Sequence, residues 1–374
     1  MFLFTVLLAA TIKWTANAQE EIPRVSIEEP PQISRFSGEW ALGIGGESFS
    51  EGQDEGTMVG FTLQPRLTYS FTDNFDMYAS GKLQLISSQL QTRFNDSRQS
   101  GILANEVVVR LRPLEILEFK AGALGQGYLA TPLLITDRAF PGISETLRFG
   151  SKQNYFRLIA SQSIPTFNSF STRRVEKEKT PFFYTETLQG GFALGKDFEL
   201  SVTSSHFRFF DLPAVVAYES SRWGNTVFGD IPGNSYFAYE FEGWTVGGEI
   251  CFCSLDKFKL RAGGYRIKNI KAEPTFNRGQ EFFLSSDMEF SGLVVSPYYL
   301  QFFNEADTAP ARYNSGSRGH NNRKGVGFGL KVLFRPYNFR IVAEYIRSDV
   351  INPSFVQENL GSIQLKVETL YVAL

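Results

Sequence analysis

Few side chains in this sequence could carry out acid–base or nucleophilic chemistry. The chain has two histidines, His206 and His320, and the general base of a hydrolase is most often a histidine. On a strand, His206 would share a face with Ser204, but no nearby acidic residue completes a triad. We therefore predict no catalytic residues and expect that the protein is not an enzyme.

The two cysteines, Cys251 and Cys253, are separated by one residue. The pattern around them predicts a turn, where a disulfide over so short a separation would be strained. Two thiols are also too few for a zinc centre. The glycine-rich stretches 43–46 and 325–329 lie within predicted strands and precede no helix, so they do not indicate a dinucleotide fold. We expect the cysteine pair to be incidental, and predict no metal and no cofactor.

The N-terminal residues predict export. Residues 1–18 contain an apolar run that ends in Ala16-Asn17-Ala18, a pattern that signal peptidase accepts. We interpret 1–18 as a signal peptide and 19–36 as a short acidic lead in the periplasm. The whole chain has 37 basic and 39 acidic residues, which argues against a nucleic-acid partner bound by bulk charge.

The remainder of the chain alternates apolar and polar residues with a period of two. Residues 61–71 and 75–85 each place apolar side chains on one face and polar ones on the other, and only the turn residues 72–74 separate them. The pattern predicts sixteen strands, and a weak division near Gly292 leaves fourteen to eighteen open. The predicted strands span residues 38–48, 58–71, 75–89, 102–113, 117–125, 144–150, 154–164, 182–194, 198–210, 236–251, 257–269, 281–291, 293–304, 323–335, 338–348 and 362–374.

Long and short connections alternate along the chain. The long ones are residues 49–57, 90–101, 126–143, 165–181, 211–235, 270–280, 305–322 and 349–361. The short ones are residues 72–74, 114–116, 151–153, 195–197, 252–256, 292 and 336–337. Long loops would therefore lie at one end of the sheet, and short turns and both termini at the other. This sorting predicts an all-β fold over 37–374, a transmembrane antiparallel up-and-down β-barrel, closed because a free strand edge is costly in hydrocarbon.

With these features the chain resembles the Gram-negative outer-membrane porins. The resemblance rests on the leader, the strand number, the sorted loops and a last strand that ends at the C-terminus, although Leu374 stands where that family usually has Phe. It implies a multi-pass barrel in the outer membrane with both termini in the periplasm, inserted by the barrel-assembly machinery. It further implies contact with outer-membrane lipid and lipopolysaccharide, a homotrimer as the family's habit, and passive diffusion of small hydrophilic solutes or ions.

The face opposite the apolar stripes would line the lumen, and it carries more cations than acidic residues. The cations predicted to line the pore are Arg66, Lys82, Arg110, Arg112, Lys120, Arg148, Arg157, Lys259, Arg261, Lys331, Arg335, Arg340 and Lys366. Fixed cations raise the local concentration of small anions, so we predict a modest anion preference. The alternative is that these charges pair across strands and only line a wet wall.

The third long loop, residues 126–143, is more apolar than a loop in water should be. In porins the third loop folds into the barrel, and by that resemblance Asp137 and Arg138 would face a constriction. The alternative is a loop that packs on the outer rim or against a neighbouring subunit. The polar loop 305–322, with Arg312, Arg318 and His320, is expected at the surface.

Two other functions remain open from the sequence. A non-conducting outer-membrane barrel could act as an adhesin or structural anchor, and an outer-membrane barrel hydrolase is a weaker alternative. Strand number separates the first of these from a channel, because small barrels fill with side chains whereas about sixteen strands enclose water.

Overall fold

The computed structural model describes residues 35–88, 100–129, 131–136, 138–151, 153–165, 178–255 and 257–373. The predicted signal peptide and all but the last two residues of the predicted lead lie outside these ranges. The long strands are β1 (Phe36–Glu51), β2 (Asp54–Thr72), β3 (Phe75–Ser88), β4 (Gly101–Leu114), β5 (Leu117–Gly125), β6 (Ala139–Gly150), β7 (Tyr155–Ser163), β8 (Phe182–Leu194), β9 (Phe198–Phe210), β12 (Glu242–Leu255), β13 (Phe258–Asn269), β14 (Arg278–Phe290), β15 (Leu293–Asn304), β16 (Arg323–Phe334), β17 (Phe339–Val350) and β18 (Leu360–Thr369).

Shorter elements complete the described structure. In the loop after β9 lie the helix α1 (Ala214–Arg222) and a hairpin of β10 (Val227–Phe228) and β11 (Tyr236–Phe237). The strand β19 (Val372–Ala373) continues β18, and single 3-10 turns span Gly127–Leu129, Gly316–Arg318 and Arg335–Tyr337. Among the described residues, no helix has both the length and the apolar character needed to cross a bilayer.

The sixteen long strands form one antiparallel sheet that closes on itself. Each strand pairs with its neighbours in the chain, and β9 pairs with β12 across the loop that carries α1. Closure comes from β1, which pairs with β2 on one side and with β18 and β19 on the other, so that Gly43 lies opposite Glu368 and Glu39 opposite Ala373. Closure leaves no free edge in hydrocarbon. The predicted barrel and the predicted count of sixteen strands are confirmed.

The two faces of the barrel wall differ in chemistry. On β2 and β3 the outward side chains include Phe61 and Leu85, both exposed, whereas Thr62 and Gln84 point inward. The same division holds around the wall: Ile44 on β1 is 56% exposed on the outside. Lipid on one side and water on the other require this alternation. The faces predicted for residues 61–71 and 75–85 are therefore correct.

The connections are sorted as predicted, with one exception. Residues 49–57 were expected to form a long loop, but Glu51 pairs with Asp54 and only Gly52 and Gln53 form the turn. Gly52 has a φ of +60°, which glycine adopts without strain. The two strands continue their ladder past the apolar region, where alternation no longer marks them. At the weak division near Gly292, Ser291 and Gly292 both have positive φ, as in a tight hairpin turn.

Inward-facing glycines of β16 make room for aromatic rings of β15. Gly329 lies directly opposite Tyr298, and a Cβ added there would come within 2.0 Å of the tyrosine ring. Gly325 lies opposite Phe302 in the same way. Tyr298, Phe302 and neighbouring Leu300 thus lie flat on the wall, and Phe302 and Leu300 are buried there with Ile346. The glycine-rich stretch 325–329 is part of a strand, as predicted.

The largest hydrophobic core lies inside the barrel. It joins inward side chains of the wall to three connecting segments: the loop 126–138, the loop 211–241 with α1, and the loop 305–322. Apolar burial of this kind holds loops in place as it holds a domain core. The buried members are Leu129, Leu133, Leu134, Ile135, Phe140, Phe183, Phe207, Phe209, Val215, Val216, Phe241, Ile267, Ala309 and Tyr313.

Candidate functional site

The loop 126–138 lies against the inner wall of the barrel. The Tyr128 hydroxyl is 2.6 Å from the Thr185 hydroxyl oxygen, and the Gln189 side-chain amide donates to the Tyr128 carbonyl at 2.7 Å. Thr185 and Gln189 belong to the inward face of β8. The loop is shorter than predicted because residues 139–143 belong to β6. Of the two positions left open by the sequence, the contacts favour the interior over the outer rim.

A second loop crosses the interior beside the first. The Thr136 amide donates to the Tyr313 carbonyl at 2.9 Å, and the Ser315 amide donates to the Pro132 carbonyl at 3.1 Å. These backbone bonds, between residues far apart in the chain, fix loops 126–138 and 305–322 to each other. The two loops therefore form one packed unit inside the barrel.

The expectation that loop 305–322 is exposed is wrong. Arg312, His320 and Asn321 are buried, and Asn321 has no accessible surface at all. The loop satisfies its polar groups internally: the Asn321 side-chain amide donates to the Ala306 and Ala309 carbonyls at 2.8 and 2.7 Å. Arg318 forms an ion pair with Glu281 of β14. Polarity in the sequence did not reveal that the partners of these groups lie inside the barrel.

His320 of that loop packs against an aromatic ring and lies near several arginines. Its ring is 4.7 Å from the Trp223 ring, and the guanidinium carbon of Arg312 is 4.8 Å from the same indole. Burial, together with the charges of Arg312, Arg138 and Arg323, lowers the pKa of His320 to about 3. The imidazole is therefore neutral at physiological pH, with Nδ1 3.0 Å from the Asn314 side-chain oxygen.

Three of the predicted pore-lining cations form a charge ladder on the inner face of β3–β5. Arg110 pairs with Asp76, and Arg112 bridges Asp76 and Glu118, each at 3.1 Å. Lys120 pairs with Glu106 at 3.1 Å. In this part of the wall the acidic residues compensate the cations, as in the alternative left open by the sequence.

Most of the other predicted cations also lie on the inner face beside acidic groups. Arg261 is 3.1 Å from Asp287, and Arg340 and Lys366 both pair with Glu368. Arg66 lies 4.0 Å from Glu39 and stacks over Tyr371. Arg335, in contrast, lies in the turn after β16 and not on the wall, and it pairs with Glu289 at 2.8 Å.

Five further predicted positions are Lys82, Lys259, Lys331, Asp137 and Arg138. Lys82 faces inward from β3, Lys259 lies opposite Asp287, and Lys331 lies over the Tyr298 ring. Asp137 is outside the described residues. Arg138 is at the end of loop 126–138, where burial lowers the pKa of its guanidinium.

Arg148 and Arg157 differ from most of the other inward cations. They lie directly opposite each other on β6 and β7, and their guanidinium carbons are 5.7 and 5.0 Å from the centre of one ring, that of Tyr155. Neither forms an ion pair with another described residue. They line a cavity of about 430 Å³ together with Arg112, Lys120, Tyr128 and Gln189. Glu106, Glu115 and Glu118 also line this cavity, which the loop 126–138 bounds at Tyr128, so its lining carries four cations against three carboxylates.

Comparisons with known proteins agree with this architecture. No family model and no curated protein matches the sequence. Among solved structures, Pseudomonas putida OprB has a TM-score of 0.56 at 10% identity, over 91% of this chain and 94% of that one. Salmonella typhi OmpF, solved with daunomycin, has a TM-score of 0.53 at 9% identity, over 90% and 97% of the two chains. The loop L8 deletion mutant of Vibrio cholerae OmpT has a TM-score of 0.52 at 10% identity, over 90% and 100%.

The chain has the fold of the Gram-negative outer-membrane porins. At these identities the likeness concerns the fold, and it agrees with the predicted multi-pass barrel of the outer membrane. Within this porin fold, sequence reasoning missed Tyr128 and Gln189, which join the third loop to the wall, and Glu219 of α1. Gln189 shares the inward parity of its strand and was recognisable by that signal, whereas nothing local marked the other two.

The cysteines of this porin fold lie on a strand and not at the predicted turn. Cys251 and Cys253 both belong to β12 and are joined by a disulfide, with their Cα atoms 5.9 Å apart. Residues two apart on a strand share a face, and Cys251 lies opposite Arg261 on the inner wall. A β-bulge between Phe252 and Leu255 interrupts the ladder there. His206 points outward beside Trp244, with its Nε2 3.7 Å from Glu242.

Proposed function

We propose that the protein is an outer-membrane porin, a water-filled channel for passive diffusion of small hydrophilic solutes. The observation that carries this is the wall itself: sixteen strands closed into a barrel, apolar outside, and charged and polar inside. A barrel of about sixteen strands encloses an aqueous space unless something fills it. The fold shared with OprB and OmpF supports the same function.

The loop 126–138 is the constriction of this channel. It is held to the inner wall through Tyr128 and to loop 305–322 through Thr136. Its leucines are buried in the interior core, so it cannot leave the lumen without exposing them. Solutes therefore pass the polar side of the loop, along the cavity lined by Arg148 and Arg157.

A modest anion preference follows from that cavity. Most inward cations form ion pairs with acidic residues, whereas Arg148 and Arg157 form none with a described residue. The cavity lining carries four cations, Arg112, Lys120, Arg148 and Arg157, against the three carboxylates of Glu106, Glu115 and Glu118. The excess of positive charge in this lining attracts small anions and repels small cations.

Recordings in planar bilayers of neutral lipid test the conduction and the anion preference. We expect stepwise conductance in potassium chloride and a reversal potential in a salt gradient that indicates chloride preference. The double variant Arg148→Gln/Arg157→Gln should keep its conductance steps but lose this preference. The matched control Arg266→Gln/Lys268→Gln removes two exposed cations from the outer face of β13, and its reversal potential should not change. Cation preference of the wild type would contradict the selectivity proposed here.

A non-conducting barrel is the second candidate, and one observation favours it. Three loops form a hydrophobic core within the barrel, so a part of the interior is filled by protein rather than by water. Silence in the bilayer from correctly folded protein would support an adhesin or anchor and contradict the porin.

A further inference from the structure

The cysteine pair has an acidic neighbour on the adjacent strand. Cys251 of β12 lies directly opposite Glu199 of β9, and both residues belong to the inner face. Sγ of Cys251, Sγ of Cys253 and a carboxylate oxygen of Glu199 all lie within 4.8 Å of one another. Cys251 is buried, Cys253 is half-buried and Glu199 is exposed. Three metal-ligating groups thus converge on one point of the wall, beside the short turn at 195–197.

This spacing suits a tetrahedral cation once the sulfur atoms are no longer bonded to each other. Each Zn–S bond is about 2.3 Å, so two thiolates on one zinc ion lie roughly 3.8 Å apart. Three protein ligands with a water in the fourth position are the ligand set of an open zinc site. Sequence reasoning counted only the two thiols, because Glu199 is brought to them by strand pairing 52 positions away.

The basic side chain opposite Cys251 is already paired with carboxylates. Arg261, opposite Cys251, is the nearest basic side chain in the register, and it is held by Asp287 at 3.1 Å and by Glu249 at 3.7 Å. The positive charge of Arg261 is therefore compensated by Asp287 and Glu249, and Glu199 remains available to a cation. Thiolate ligands in such surroundings select soft or borderline d10 cations over Mg²⁺ and Ca²⁺.

We propose that Cys251, Cys253 and Glu199 form a redox-controlled site for a thiophilic d10 cation such as Zn²⁺ at the short-turn mouth of the barrel. In the disulfide form the sulfur atoms are bonded to each other and the site is closed. A dithiol reductant breaks the S–S bond by thiol–disulfide exchange: it supplies two electrons and two protons, leaves two thiols on the barrel, and becomes a disulfide itself. The cation then replaces the two thiol protons, and Glu199 supplies the third ligand.

Zinc titration of the full chain, folded in detergent, tests the site. Since these are the only two cysteines in the sequence, every thiol that a dithiol generates belongs to this pair. After reduction and anaerobic removal of the reductant, calorimetry should give one Zn²⁺ per chain, and Cd²⁺ should give a thiolate charge-transfer absorption. The oxidised protein and the variant Cys251→Ser/Cys253→Ser should show neither.

Two carboxylate variants test the third ligand. Glu199→Gln should weaken Zn²⁺ binding by at least tenfold, the lower end of the loss seen even for outer-shell partners. Glu39→Gln, on the inner face of β1 at the same end of the barrel, is the matched control and should bind as the reduced wild type does. Heat-modifiable migration on gels checks that each variant forms the barrel.

Three results would overturn the site: no thiols after treatment with a dithiol, equal Zn²⁺ uptake by reduced and oxidised protein, or unchanged affinity in Glu199→Gln. Because metal uptake is measured in detergent, it does not depend on conduction. A silent barrel that binds Zn²⁺ only when reduced would contradict the proposed channel and support the site, and a conducting barrel without Zn²⁺ uptake would do the reverse.

Discussion

Single inward residues carry much of the packing in this wall, and Gly329 shows it most directly. The Tyr298 ring occupies the space where a side chain at 329 would lie. Gly329→Ala should therefore destabilise the barrel by about 1–3 kcal/mol, as overpacking does in well-packed interiors. Urea unfolding of detergent-folded protein measures this. In the control Gly101→Ala, the added methyl group meets no described atom within 4 Å, so its unfolding midpoint should match the wild type.

The buried imidazole of His320 makes stability depend on pH. Its pKa in the folded protein is about 3, below the ordinary value of 6.5, because of burial and three nearby arginines. As pH falls below 6.5 the unfolded chain takes up a proton that the folded chain refuses. The contribution of His320 is therefore fully present above pH 6.5 and is lost progressively down to about pH 3.

The variant His320→Phe, which retains a ring to stack on Trp223, isolates this effect. The buried Asp307 acts with the opposite sign, because burial raises the pKa of its carboxyl group and the folded chain then binds the proton more tightly. Subtracting the variant's pH profile from that of the wild type removes the part due to Asp307. We expect the difference in unfolding free energy to fall between pH 6.5 and pH 4, and a flat difference would contradict a buried neutral histidine.

At the scale of elements, a buried ion pair joins β16 to β1. Arg323 and Glu51 have side chains only 1% and 6% exposed, and Arg323 also donates to the Glu358 carbonyl in the loop before β18. Glu51→Gln removes the carboxylate that pairs with this buried guanidinium and should cost about 3–5 kcal/mol of unfolding free energy. Glu289→Gln, which removes the partner of the half-exposed Arg335, should cost less than about 1 kcal/mol in the same assay.

The strands were predictable from the sequence and the inner loops were not, for a physical reason. Lipid and water impose a period of two, and that period is local, so Phe61 and Thr62 reveal their faces without knowledge of any partner. The ladder beyond the lipid region is free of that constraint, which is why the turn at Gly52 was missed. Arg318 and Arg323 find Glu281 and Glu51 at separations of 37 and 272 residues, and no local pattern encodes such pairs.

The candidate site was likewise predictable only in the part that depends on local pattern. The inward parity of Arg110, Arg112, Lys120 and Arg157 was recognisable from alternation alone. Whether such a cation forms an ion pair depends on which acidic residue the neighbouring strand places beside it. The strand register was therefore needed to see that Arg110 pairs with Asp76 whereas Arg157 lies opposite Arg148.

At the scale of the whole molecule, the packed loops determine how much of the interior is open. Deleting residues 132–135 removes Leu133, Leu134 and Ile135 from the core and the Ser315 contact with Pro132. The single-channel conductance should rise, because the constriction is shortened while the wall is unchanged. Single-channel recordings of folded protein measure it, with the wild type as reference. An unchanged conductance would show that the narrowest part of the channel lies elsewhere.

The seam between β1 and β18 links the first and last parts of the wall. The Leu42 amide, for example, donates to the Thr369 hydroxyl oxygen across 327 positions of sequence. The barrel can close only when nearly all of its described strands are present. A ribosome-bound or truncated chain therefore exposes two unpaired strand edges. Such a chain must be kept soluble until its last strand is available. Closure is then a single late step, and it carries the entropy cost of bringing together two strands that are far apart in sequence. Quality control of this protein therefore depends on its final strand: a chain that has lost it presents β1 as a free edge, which is a substrate for proteases and chaperones rather than for the membrane.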